Sequence, residues 1–167
     1  DPNNYRFRDA EAYTSVEPQN VTSIDVQRRT NNLILGKNSE FVKDLLNSFK
    51  KNGFLPVDQI QVRKIDESKF LVIEGNRRVA CLKFLQDRYN REGYDLGKLD
   101  PSIFSKIPVV SYSDSDEAHH LILMGLKHIS GNKKWPAINQ AQLVRTLYNN
   151  HNMTPDDVCH SIGISKR

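Results

Sequence analysis

A chain of 167 residues with 38% hydrophobic and 26% charged side chains can pack one domain, or one domain and the start of a second. Its eight Gly and seven Pro exclude collagen-like and low-complexity chains, and no apolar run approaches the roughly 20 residues that span a bilayer. Lys and Arg number 24 against 20 Asp and Glu; the net charge of +4 suits a polyanionic partner without requiring one.

Two cysteines, Cys81 and Cys159, are too few for a disulfide framework or a zinc site and point to a reducing compartment. The chain opens at Asp1 with no basic-then-apolar leader, and Asn20-Val21-Thr22 is a glycosylation sequon that stays idle without secretion. These features predict a cytoplasmic protein with no membrane partner.

Residues 1 to about 20 are polar and aperiodic and read as a loop or extended arm. Thr22-Ser23 can cap a short helix through Ile24, Val26 and Arg29, with Gly36 as its stop. Ser39 is the expected N-cap of a second helix, whose apolar face takes Phe41, Val42, Leu45, Leu46 and Phe49. Lys50-Lys51 near its carbonyl end and Gly53 just beyond it make a favourable terminus.

After Pro56 the period changes. Ile60, Val62 and Ile65 alternate with polar residues, Asp66-Glu67-Ser68 turns the chain, and Phe70-Leu71-Val72-Ile73 reads as a buried strand, so the two form a hairpin. A helix follows Glu74-Gly75 with Val79, Ala80, Leu82, Phe84, Leu85 and Tyr89. Residues 95–105 are an irregular insertion, and Ile107 to Tyr112 is a strand whose Pro108 suits an early or edge position. From Asp114 everything reads as helix. Asp114 with Glu117 resembles a capping box, Pro136 suits a first turn, and Thr154-Pro155-Asp156-Asp157 is a strong helix start before Gly163. The fold class is therefore α+β: a mixed lobe over residues 1–112 and a helical subdomain over 113–167.

The chemistry concentrates at Glu74-Gly75-Asn76-Arg77-Arg78, where a strand hands over to a helix. Glycine allows close approach of the backbone, first-turn amides attract anions, and adjacent arginines suit phosphate. Glu74 adds a carboxylate for Mg²⁺ or for polarising a nucleophile. The opposite reading is a plain strand–turn–helix with two solvated arginines. His119-His120 begin a helix far from any Cys/Asp pair, one facing solvent and one the core. Trp135 beside Lys133-Lys134 can stack on a base or cap a helix junction. Cys81 reads as a small core residue rather than a nucleophile.

The order Lys50-Lys51-Asn52-Gly53-Phe54-Leu55-Pro56, a hairpin, Val72-Ile73-Glu74-Gly75-Asn76-Arg77-Arg78-Val79-Ala80, then Ile107-Pro108-Val109-Val110 resembles the ParB/sulfiredoxin superfamily. The likeness runs from about Ser39 to Arg167. It implies a nucleoside-triphosphate-binding switch, for CTP or ATP with Mg²⁺, with slow hydrolysis, in a DNA-associated protein of partition, regulation or defence. Gly75, Asn76, Arg77 and Arg78 would hold phosphates with Gly53 nearby, Glu74 would be metal ligand or base, and His128 would form a second wall.

The likeness also implies that Thr154 to Ile162 and Gly163 open a helix–turn–helix with Ser165 capping its recognition helix, so that the segment belongs to a longer, DNA-binding and self-associating protein. His128 stands where the family has Asn and Gly131 where it has Arg, a loss that Lys133 or Lys134 would offset; Asn76 replaces a Glu. The acid before the glycine resembles the Asp-Gly-Gln-Gln-Arg box of restriction-type NTPases and the Asp-Gly-His-His-Arg type box of free-serine kinases, and the reactive Cys of sulfiredoxin is replaced by Asn76. Arg6, Arg8, Arg28 and Arg29 are further candidates to close the cleft. Two rival readings remain: a DNA-binding module with a vestigial pocket, and a phosphotransferase or nuclease centred on Glu74.

Overall fold

The computed structural model describes residues 1–112, 117–131 and 134–165. The chain is α+β, with six α-helices and one three-stranded sheet among those residues. It divides into two units, one of Asp1–Pro2 with Val16–Ser113 and one of Asn3–Ser15 with Asp114–Arg167. The helical unit thus takes in an arm, residues 3–15, that a division at residue 112 leaves with the mixed lobe. No helix among the described residues is long and apolar enough to cross a membrane.

In the first unit, α1 spans Ile24–Leu35, begins after Ser23 and stops at Gly36, as its sequence suggests. Its buried residues are Thr30, Ile34 and Leu35, whereas Ile24 is 83% exposed. Helix α2, Lys43–Asn52, starts later than the Ser39 cap implied. Asn38 and Ser39 both take left-handed backbone, with φ of 55° and 57°, so the chain turns there and cannot yet be α-helical. Phe41 lies outside the helix and is exposed, while Val42 and Phe49 are buried.

Strand β1 is Ile60–Lys64 and β2 is Phe70–Glu74, paired antiparallel; β3, Val109–Tyr112, lies parallel to β1, giving the order β2-β1-β3. The expectation of a wholly buried β2 is corrected. Leu71 and Ile73 face inward, but Phe70 is 52% exposed, because an edge strand with period-two alternation covers only one face. Helix α3, Asn76–Glu92, follows at once and buries Ala80, Cys81, Leu82 and Leu85.

The connector after α3 is pinned to the end of α2. Lys98 N–H donates to the Lys50 carbonyl at 2.8 Å, and Gly97 lies so close to that carbonyl that a Cβ there would collide with it. Gly53 completes the joint, since a Cβ on it would sit 3.0 Å from the Lys98 carbonyl oxygen.

The second unit contains α4 (Glu117–His128), α5 (Ala137–Asn150) and α6 (Pro155–Ile162). Tyr5, Leu121, Met124, Trp135, Leu143, Leu147, Val158 and Ile162 share its core. Thr154 and Asp157 form a reciprocal capping box, and Gly163 ends α6 in left-handed conformation. The Asp114 cap expected for α4 lies outside the described residues, as does everything beyond Ser165.

Candidate functional site

The strand-to-helix junction owes its shape to Gly75, whose φ of 90° and ψ of 16° are left-handed. A Cβ there would stand 2.9 Å from Ile60 Cγ1, so the missing side chain is required by packing on β1 as well as by the turn. The ladder is irregular at the same place. Gln61 pairs with Glu74 but Val62 pairs with Val72, leaving Ile73 as an extra residue on β2. The chain therefore bends just before α3, whose first-turn amides have no acceptor within the helix.

The two arginines diverge instead of converging on one point. Successive helix residues face different directions, so neighbours in sequence are not neighbours in space. Arg77 Nε donates to the Phe41 carbonyl at 3.1 Å and Nη2 donates to Asp44 Oδ1 at 2.7 Å. Arg78 Nη2 lies 3.9 Å from Asp58 Oδ2. Neither guanidinium stands in bulk water: the side chains are 27% and 12% exposed respectively. Arg78 Nη1 is buried with no hydrogen-bond partner.

Asn76 is engaged by its own chain. Its Oδ1 accepts from the Asp1 nitrogen at 2.8 Å, and its Nδ2 donates to the Ile73 carbonyl at 3.3 Å. It also lines a cleft of about 310 Å³ with Thr30, Asn31, Phe70, Val72 and Lys83. Glu74 is half-buried at the end of β2. No group of three or more His, Cys, Asp or Glu is assembled for a metal among the described residues. Gly53 caps α2 and abuts the Lys98 carbonyl, which accounts for it without a phosphate.

The remaining candidates divide between the units. Arg28 pairs with Asp25 on the exposed side of α1 at 3.0 Å. Cys81 is fully buried, and burial together with the charge of Asp44 pushes its thiol up to about 12, which removes it as a nucleophile near neutral pH. Arg6, Arg8 and His128 belong to the helical unit. His128 is 3% exposed and stacks on Trp135 at 4.4 Å and 12°. Trp135 also stacks with Tyr5 at 6.0 Å and 15°. Trp135 itself is only 4% exposed, so it is a core ring with no open face for a base. His120 is buried and His119 exposed, as their positions on α4 suggest.

Sequence reading missed Asp44, Asp58 and the Phe41 carbonyl. They lie far from Arg77-Arg78 along the chain, and no local spacing marks them. Compared with family models, curated proteins and solved structures, the chain matches none.

Proposed function

We propose that the first unit is a ParB-like nucleoside-triphosphate switch, taking CTP or ATP with Mg²⁺, in a DNA-associated protein. The observation that carries this reading is the unpartnered, buried Nη1 of Arg78 in the first turn of α3, directly after the left-handed Gly75. A phosphate oxygen supplies the acceptor that this N–H lacks, in the place where helix amides and dipole favour an anion. Mg²⁺ in such sites needs only one or two carboxylates, because phosphates and water complete its shell. Glu74 is the carboxylate at hand, and the ion when bound neutralises phosphate charge.

Slow hydrolysis resets the switch in this reading, α6 and Gly163 open the DNA-reading element, and nucleotide binding favours pairing of two copies. Thermal shift and calorimetry over CTP, ATP, GTP and UTP, with and without Mg²⁺, test it. One triphosphate is expected to stabilise the chain, Arg77→Ala and Arg78→Ala to abolish the effect, and Glu74→Gln to remove its Mg²⁺ dependence. Undiminished affinity in both arginine variants ends the phosphate role.

A second reading rests on Arg77, whose guanidinium already serves Phe41 and Asp44. Under it the pocket is vestigial and the protein is a DNA-binding module. No nucleotide then shifts melting, while the protein binds DNA with a steep salt dependence.

A further inference from the structure

The helical unit holds a second concavity, distinct from the junction before α3. Arg8, Tyr13 and Ser15 of the arm, with residues 142–150 of α5, line a groove of about 450 Å³. Among the described residues its lining includes Arg8, Tyr13, Gln142, Arg145, Asn149 and Asn150, and no carboxylate. Two guanidiniums lining one groove suit an anion.

The groove is built from both of its sides. Gln142, Arg145, Thr146 and Asn149 recur at helical spacing on one face of α5, while Leu143 and Leu147 turn into the core. Arg8 is laid over the Tyr5 ring at 3.8 Å, and the Tyr5 phenol lies beside Thr146. That chain of contacts fixes one guanidinium in place before any ligand arrives. Arg145 is exposed and takes part in no ion pair among the described residues. Two lining residues also carry buried polar atoms without partners, Arg8 Nε as donor and Gln142 Oε1 as acceptor. Native interiors rarely leave such atoms unsatisfied, and a bound polar molecule is one remedy.

We infer that this groove binds a small phosphorylated metabolite, its phosphate held between Arg8 and Arg145 and its hydroxyl groups met by the amides of Gln142, Asn149 and Asn150. A concave site lined by amides and a phenol suits a compact polyol phosphate better than the continuous backbone of a duplex. The inference stands independently of the nucleotide reading, since none of these residues belongs to the first unit.

The test is calorimetry of the 167-residue chain with inorganic phosphate, pyrophosphate and glycerol phosphate as probes, and with duplex DNA as a separate arm. Glycerol phosphate is expected to bind saturably, and Arg145→Ala to weaken it about tenfold or more. Asn149→Ala is expected to weaken glycerol phosphate more than pyrophosphate. Arg77→Ala is expected to leave both unchanged, which separates this groove from the junction. Arg145 and Asn149 are exposed, and circular-dichroism melting verifies that their variants fold. The inference is overturned by absence of saturable binding to the wild type, by undiminished binding in Arg145→Ala, by loss of binding through Arg77→Ala, or by binding of DNA alone.

Discussion

Cations adjacent in sequence and cations adjacent in space are different things in this molecule. Arg77 and Arg78 form the most conspicuous basic pair in the first unit, yet one turns to Phe41 and Asp44 and the other to Asp58. In the helical unit, Arg8 and Arg145 stand far apart along the chain but line the same groove, with no acid among its described lining residues. A motif scan finds the first pair and passes over the second. The lesson is that an arginine's availability depends on which carboxylates the fold brings to it.

The largest effects should come from the cores that hold each arrangement. Leu85→Ala in the first unit and Leu143→Ala in the second each remove a fully buried side chain and should cost about 2–5 kcal/mol, read by urea denaturation. Gly75→Ala attacks the junction more selectively. It forces a Cβ into left-handed backbone and against Ile60, and about 1–3 kcal/mol of destabilisation is expected. An unchanged midpoint would mean that the turn relaxes freely and that Gly75 is not needed by the sheet.

Smaller effects sharpen the contrast. Thr154→Ala should cost about 0.5–2 kcal/mol by unmaking the α6 cap. The same hydroxyl and backbone bonds hold the Asp157 carboxyl below its usual range, so their support is present above the unfolded carboxylate range and fades as pH falls through the depressed native value. Thr154→Ala should therefore flatten the acid limb of a pH–stability curve. Cys81 acts at the other end of the scale: its thiol is raised from 9.0 to about 12, so the native state keeps a proton that the unfolded chain releases. Stability from this source is complete below about 9 and declines as pH climbs toward 12, a slope that Cys81→Ala should remove. Native-state alkylation should spare Cys81 and become complete on unfolding.

Most of the elements could be read locally. Thr154-Pro155-Asp156-Asp157 announces α6, Gly36, Gly53 and Gly163 mark helix ends, and alternation identifies β1. The misreadings have a common physical origin. Ser39 looks like a cap by its chemistry, but a left-handed turn at Asn38 and Ser39 postpones α2 to Lys43. Phe70 looks like core by its hydrophobicity, but its strand lies at an edge. The candidate site was legible as a glycine turn with two arginines and illegible in its partners, because Asp44 and Asp58 reach it through the tertiary fold alone. Trp135 shows the same gap, since nothing near it in sequence says that Tyr5 will stack with it.

The joint between Lys50, Gly53, Gly97 and Lys98 also couples two segments mechanically. The carbonyl of Lys50, near the end of α2, is satisfied by the Lys98 amide rather than left to solvent, and two glycines let the strands of chain touch. A partner that tugs on the connector beyond α3 must therefore strip a hydrogen bond from α2. Fraying at residue 50 would report such an engagement from a distance, and amide exchange at Lys98 is the place to look for it.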